Sequence, residues 1–132
     1  KKIDKDVKFN FNPNVSPVFK FDHDQISRAC FNLIKNSIES LKEKSKKTSN
    51  LVKNIDIEIL EHIDYISLTI KDSGIGFKNI KTSELTKPYF TTKADGTGLG
   101  LSIVSKIIND HNGIITFTNL NEGAKVDIKF YK

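Results

Sequence analysis

Apolar and polar residues recur with a different period in each stretch of this 132-residue chain, and the period predicts most of its elements. Val7, Phe9 and Phe11 alternate with Lys8 and Asn10, which predicts an opening strand; Pro13 punctuates it, and Val18-Phe19-Lys20-Phe21 makes a second short one. Asp22 and Gln25 stand three apart, the arrangement of a capped helix start. Behind them Ile26, Cys30, Leu33, Ile34, Ile38 and Leu41 follow at helical spacing, so a helix is expected from about 23 to 43. Residues 43 to 54 are polar and aperiodic and predict an exposed connection. Ile55, Ile57 and Ile59, then Ile66, Leu68 and Ile70, alternate with polar residues as two strands of a hairpin turning near His62-Ile63-Asp64.

The pattern lapses from Phe77 to Gly98, apart from a short helical signal near Ser83-Glu84-Leu85. A stretch of that length without pattern in a compact domain is usually functional, often a lid. Leu99 to His111 then has the spacing of a helix through Leu101, Ile103, Val104, Ile107 and Ile108, closed by Asn112-Gly113 as a left-handed cap. Ile114–Thr118 and Val126–Phe130 make a last hairpin around a turn at 119–123. The expectation is one domain over 1–132, an α/β (α+β) two-layer sandwich. Its mixed, mostly antiparallel sheet would carry about three helices on one face.

Composition narrows this picture without changing it. A chain of this length buries roughly 70% of its unfolded surface, enough for a core without staples. Its 37% hydrophobic and 28% charged residues are those of a globular protein. One cysteine excludes a disulfide framework and a cysteine-based zinc site; Cys30 lies on the apolar stripe and is expected to be a buried core thiol. No apolar run approaches a membrane span, and Lys1-Lys2-Ile3-Asp4-Lys5-Asp6 has no signal-peptide core, so a soluble protein of the cytoplasm is expected. The net charge of +5 comes almost wholly from lysine, with much of the surplus in a presumed loop at Lys42-Glu43-Lys44-Ser45-Lys46-Lys47. Nucleic-acid readers lean on arginine, and Arg28 stands alone, so no nucleic-acid partner is expected. A small polyanion suits the same sign.

Candidate chemistry sits in three places. Gly74 and Gly76, and then Gly96, Gly98 and Gly100, permit close backbone approach to a ring or a phosphate, or serve simply as turns. The second cluster directly precedes a helix, where free N–H groups and the dipole favour an anion. It has neither the Lys-Ser/Thr close of a Walker loop nor the spacing of a dinucleotide fingerprint. Asn32 and Asn36 stand i, i+4 on one helix face with Ala29 and Ser40, either a solvated face or amide oxygens suited to Mg²⁺. Asp72, ending a strand before two glycines, could form an Asx-turn or accept a hydrogen bond from the exocyclic amine of adenine.

Taken in order, these pieces resemble the ATP-binding catalytic domain of sensor histidine kinases, in the superfamily shared with gyrase, heat-shock chaperone and MutL ATPases. Phe31-Asn32-Leu33-Ile34-Lys35-Asn36-Ser37-Ile38-Glu39 is similar to its N box, and Asp72-Ser73-Gly74-Ile75-Gly76 to its first glycine box. Lys87-Pro88-Tyr89-Phe90-Thr91-Thr92-Lys93 resembles the F-box segment, and Gly96-Thr97-Gly98-Leu99-Gly100-Leu101 the second glycine box. The resemblance covers residues 7 to 131, and its wording is most like nitrogen-regulation-type kinases.

It implies a Bergerat-type fold binding ATP and Mg²⁺. Asn36 would hold the metal, with Asn32 beside it and Lys35 near the phosphates. Asp72 would read the adenine amine between Gly74 and Gly76. Thr92, Lys93, Thr97 and the backbone of Gly98, Leu99, Gly100 and Leu101 would complete the nucleotide site, with Phe90 anchoring the lid. Asn32, Asn36 and Lys93 are the expected catalytic residues. The γ-phosphoryl group would pass to a histidine on the dimerisation domain of the same kinase and on to a response regulator, in a membrane-associated homodimer.

Three departures qualify this. The usual Asn-Ala of the N box is Asn36-Ser37, a small-for-small change. The ATP-hydrolysing relatives carry a glutamate where this chain has Asn32, which favours transfer over hydrolysis. None of His23, His62 and His111 stands in a phosphoacceptor box, so the chain reads as a kinase fragment that begins after its dimerisation helices. The rival readings are an anti-sigma-type serine kinase and a nucleotide-gated interaction module.

Overall fold

The computed structural model describes residues 8–13, 21–46, 53–76 and 100–132. In chain order these form β1 (Lys8–Pro13), α1 (His23–Ser45), β2 (Asn54–Glu61), β3 (Tyr65–Asp72), α2 (Gly100–Asp110), β4 (Gly113–Leu120) and β5 (Gly123–Tyr131). The sheet order is β1-β2-β3-β5-β4, antiparallel throughout except for β1, which runs parallel to β2. This is the expected mixed sandwich, with two helices among the described residues. The third helical signal, near residues 83–85, lies outside them, as does most of the strand expected at 18–21.

α1 starts where the sequence places it. Asp22 is extended, and its carboxylate accepts the Gln25 N–H at 3.0 Å while its carbonyl accepts the Ile26 N–H at 2.9 Å. Its end differs from expectation, because the presumed loop at Lys42–Ser45 is the last helical turn. Lys42 and Lys44 suit the negative end of the helix dipole there, and Ser45 Oγ donates to the Lys42 carbonyl at 2.8 Å.

Alternation then determines the sheet faces. Ile55, Ile66, Ile70, Val126, Ile128 and Phe130 are buried on the side that receives Leu33, Ile38 and Leu41 of α1 and Val104, Ile107 and Ile108 of α2. The opposite face is polar, with Thr69 Oγ1 donating to Asp127 at 2.8 Å and Lys125 pairing with the same carboxylate at 3.5 Å. The final turn is tighter than expected: Leu120 pairs with Gly123, leaving only residues 121 and 122 between strands. Gly123 at φ 119° makes that possible, and Asn112 at φ 58° provides the left-handed exit from α2.

Two further expectations need correction. Ala29, read onto the asparagine face of α1, is fully buried in the core. Cys30 is half-buried rather than in the core, although burial still pushes its thiol pKa up and so keeps it protonated. No helix among the described residues is long and apolar enough to cross a membrane.

Candidate functional site

β3 ends at Asp72, and the residues from there to Gly76 turn against the C-terminal half of α1. Among the described residues Asp72 is the only charged side chain that is buried, at 7% exposure. Its Oδ1 accepts the Gly74 N–H at 2.9 Å, so the Asx-turn is present. The carboxylate does more than close a turn, since it also takes hydrogen bonds from the Ser37 hydroxyl and the Ala124 N–H. Burial pushes its pKa above the ordinary carboxylate range; the three hydrogen bonds and the Lys44 charge pull against that shift. An ionised carboxylate accepts at about four positions, so three protein donors leave room for one more. That acceptor-only character suits an exocyclic amine.

The glycines make the surroundings tight. Gly74 lies so close to α1 that a Cβ there would overlap Ser40 Oγ and stand 2.8 Å from the Ser40 carbonyl carbon. Gly76 adopts φ +73°, and a Cβ on it would meet Asn119 Oδ1 at 2.8 Å and the Gly123 carbonyl at 2.9 Å. Gly123, one strand over, packs directly onto the Asp72 carbonyl. A side chain at any of the three would collide with α1, with Asn119 and the Gly123 carbonyl, or with the Asp72 backbone.

The N-box residues are on α1. Asn32 and Asn36 are half-buried at the margin of the core, not on a fully solvated face, and Lys35 is exposed. Gly100 and Leu101 form the first turn of α2, which carries no acidic residue. Phe90, Thr92, Lys93, Thr97, Gly98 and Leu99 lie outside the described residues, as does the lid. No cluster of three or more His, Cys, Asp or Glu side chains is present among the described residues.

Three contacts escape a motif-based reading. Ser37, taken as a plain small residue, hydrogen bonds to Asp72. Ser40 Oγ accepts the Ile75 N–H at 2.9 Å, and Lys44 Nζ donates to the Ser73 carbonyl at 3.1 Å. The only sequence signal for them is spacing, polar residues at i, i+3 and i+7 beneath a glycine loop. Two of the three histidines are placed as supports. His111 Nδ1 donates to the Ile107 carbonyl at 2.7 Å while Nε2 accepts the Asp22 N–H at 2.9 Å, engaging both ring nitrogens. His62 stacks on Tyr65, and His23 sits exposed beside Asp24.

Residues 21–132 match the family of histidine kinase-, DNA gyrase B-, and HSP90-like ATPases. A sensor histidine kinase NtrY-like protein of Rickettsia felis is 35% identical over 132 residues, covering 98% of this chain and 21% of that protein. Sporulation kinase A of Bacillus subtilis is 35% identical over 112 residues, covering 84% of this chain and 17% of that protein. The chain thus spans about a fifth of the length of the curated relatives it matches. Among solved structures, the nucleotide-free catalytic domain of histidine kinase ThkA aligns with a TM-score of 0.79 at 28% identity, over 96% of this chain and 80% of that one.

Proposed function

This chain belongs to the histidine kinase-, DNA gyrase B-, and HSP90-like ATPase family, and from that premise we propose that it binds Mg-ATP and donates the γ-phosphoryl group to a histidine on a separate helical dimerisation domain in two-component signalling. The observation that carries this reading is the buried carboxylate of Asp72, backed by close-packed glycines and left with acceptor capacity for an amine. Asp72 reads the base, and Gly74 and Gly76 keep the backbone thin enough for a ring to lie beside it. Asn36 contributes an amide oxygen to the metal, with Asn32 beside it and Lys35 placed for the phosphates. Thr92, Lys93, Thr97 and the backbone of Gly98 to Leu101 hold the phosphates at the start of α2, and Phe90 anchors the lid over them. Magnesium, when bound with the nucleotide, supplies charge neutralisation at the phosphates, the main requirement of phosphoryl transfer.

Asn32 shapes the outcome. An amide has no basic lone pair near neutral pH, so water lacks an activator at this position, and a positioned base is typically worth 10²–10⁴-fold. The acceptor and its base come with the dimerisation domain. In the full kinase, we place this domain on the cytoplasmic side of a membrane-associated homodimer, upstream of a response regulator.

Incubating the chain with γ-³²P ATP, Mg²⁺ and a separately supplied helical domain tests the proposal. Acid-labile, alkali-stable label is expected on the added domain only, with little label or hydrolysis without it. Label on serine would favour the anti-sigma type of kinase; tight ATP binding with no transfer would favour a nucleotide-gated interaction module. Rapid turnover by the chain alone, lost in Asn32→Ala, would place it with the hydrolases.

A further inference from the structure

Ser37, Ser40 and Lys44 share one face of α1 and grip successive parts of the loop that follows β3. Ser37 holds the Asp72 side chain, whereas Ser40 and Lys44 hold backbone. The Ser73 carbonyl is fixed by Lys44 Nζ at 3.1 Å and the Ile75 N–H by Ser40 Oγ at 2.9 Å. Gly74, pinned between these two anchors and pressed on Ser40, is the residue whose N–H sets Asp72 Oδ1. Ser73 is fixed from its other side as well, by the Asn54 N–H to its hydroxyl at 3.1 Å and by its own N–H to the Asn54 carbonyl at 3.2 Å.

We infer that Ser40 and Lys44 are positioning residues for base recognition: by clamping the Ser73–Ile75 backbone to α1 they set where Asp72 presents its remaining acceptor to a nucleobase. The inference rests on the reading of Asp72 as the base acceptor. Hydrogen bonds weaken steeply with angle, so a carboxylate whose Gly74 donor drifts no longer points its free lone pair at a fixed place. Lys44 adds a second effect, because its charge favours the ionised, acceptor-only form of Asp72. It is the charged side chain that does so: β2 and β5 present Ile55 and Ala124 opposite Asp72, neither of them ionisable. If the two residues served only to tie α1 to the sheet, their loss would weaken binding of every base alike.

The test is calorimetric titration of this chain with Mg-ATP and Mg-ITP, which carries a carbonyl in place of the amine. Wild type is compared with Ser40→Ala, Lys44→Met, Lys44→Arg and Asp72→Asn. Ser40→Ala and Lys44→Met are expected to lower the ATP-to-ITP affinity ratio roughly three- to tenfold, a part of what one charge-assisted hydrogen bond supplies. Lys44→Arg, which keeps charge and donor, is expected to restore it. Equal loss of ATP and ITP affinity overturns the inference, and an unchanged ratio in either variant removes that residue from it. Failure of Lys44→Arg to restore the ratio overturns the part given to Lys44. Asp72→Asn separates the two levels: if the ratio collapses there alone, Asp72 still reads the base and the clamp does not contribute. If the ratio survives Asp72→Asn, the base-reading role itself fails. Should Lys44→Met not fold, Ser40→Ala, which removes a single oxygen, carries the test.

Discussion

β3 begins at Tyr65 and ends at Asp72, and its two ends are stabilised in contrasting ways. At the first, the Tyr65 ring stacks on His62 at 4.3 Å, lies 5.8 Å from Tyr131 and carries the Lys129 ammonium at 5.0 Å. Lys132 pairs with Glu61 at 2.9 Å, and Ile63 at the hairpin tip is 92% exposed. Polar groups there stay in or near water, and loss of any one of them leaves the others solvated. At the far end a carboxylate is taken out of water and held by backbone and hydroxyl donors. Such a group costs stability unless it is fully partnered. The contrast teaches that the Asp72 end draws its stability from the core beneath it, while the other end is self-sufficient.

Breaking the buried end should give the largest effect. Asp72→Asn is expected to reduce ATP affinity by about 10- to 150-fold, from the roughly 1.5–3 kcal/mol of a hydrogen bond to a charged group, measured by calorimetry. Because the folded pKa of Asp72 is raised, the folded state holds the proton more tightly than the unfolded one. Its contribution is therefore favourable below the unfolded pKa and is lost as pH rises through the folded one. Wild-type stability should show that decline across the acid range, and Asp72→Asn should lack it; parallel pH profiles would count against a desolvated carboxylate.

Gly123→Ala comes next. Its φ of +119° and the contact of a new Cβ with the Asp72 carbonyl should cost about 1–3 kcal/mol in urea unfolding. A variant as stable as wild type would mean that the Asp72 backbone can yield. Tyr65→Ala at the opposite end should lose about 0.5–1.5 kcal/mol of ring interaction beyond the area it covers, with ATP affinity unchanged. A several-fold change in affinity there would show that the two ends are coupled through β3. Lys132→Ala should be the mildest, within about 0.5 kcal/mol and weakening at high salt, since both partners reach solvent.

The local part of this fold is legible in the sequence, and the long-range part is not. Ile55 to Ile70 alternate so regularly that faces and hairpin follow directly, and Asp22 with Gln25 marks the α1 start to the residue. The end of α1 is missed because Lys42-Glu43-Lys44-Ser45 suits a helix or a loop equally; part of what favours the helix is a bond from Lys44 to a residue 29 positions away. Ser37 carries no sign of its hydroxyl partner for the same reason, since Asp72 lies on another element. The glycine box itself is visible as spacing. That Gly74 touches Ser40, and Gly123 the Asp72 carbonyl, emerges only once helix and sheet are assembled.

The mixed sheet also dictates an order of assembly. Two residues separate β4 from β5 and a three-residue turn joins β2 to β3, so both hairpins close cheaply. Joining β3 to β5 brings Asp72 beside Ala124, and docking β1 brings Lys8 beside Asn54 across the whole of α1. Both steps lose chain entropy before any contact compensates, and β1, with a neighbour on one side only among the described residues, gains least in return. Pulsed hydrogen exchange during refolding should therefore protect the amides of β4 and β5 before those of β1. Simultaneous protection would mean that α1 carries β1 into place. With β1 last, the loop that holds Asp72 forms on a four-stranded sheet, and the Asp72 end is in place before the parallel edge strand.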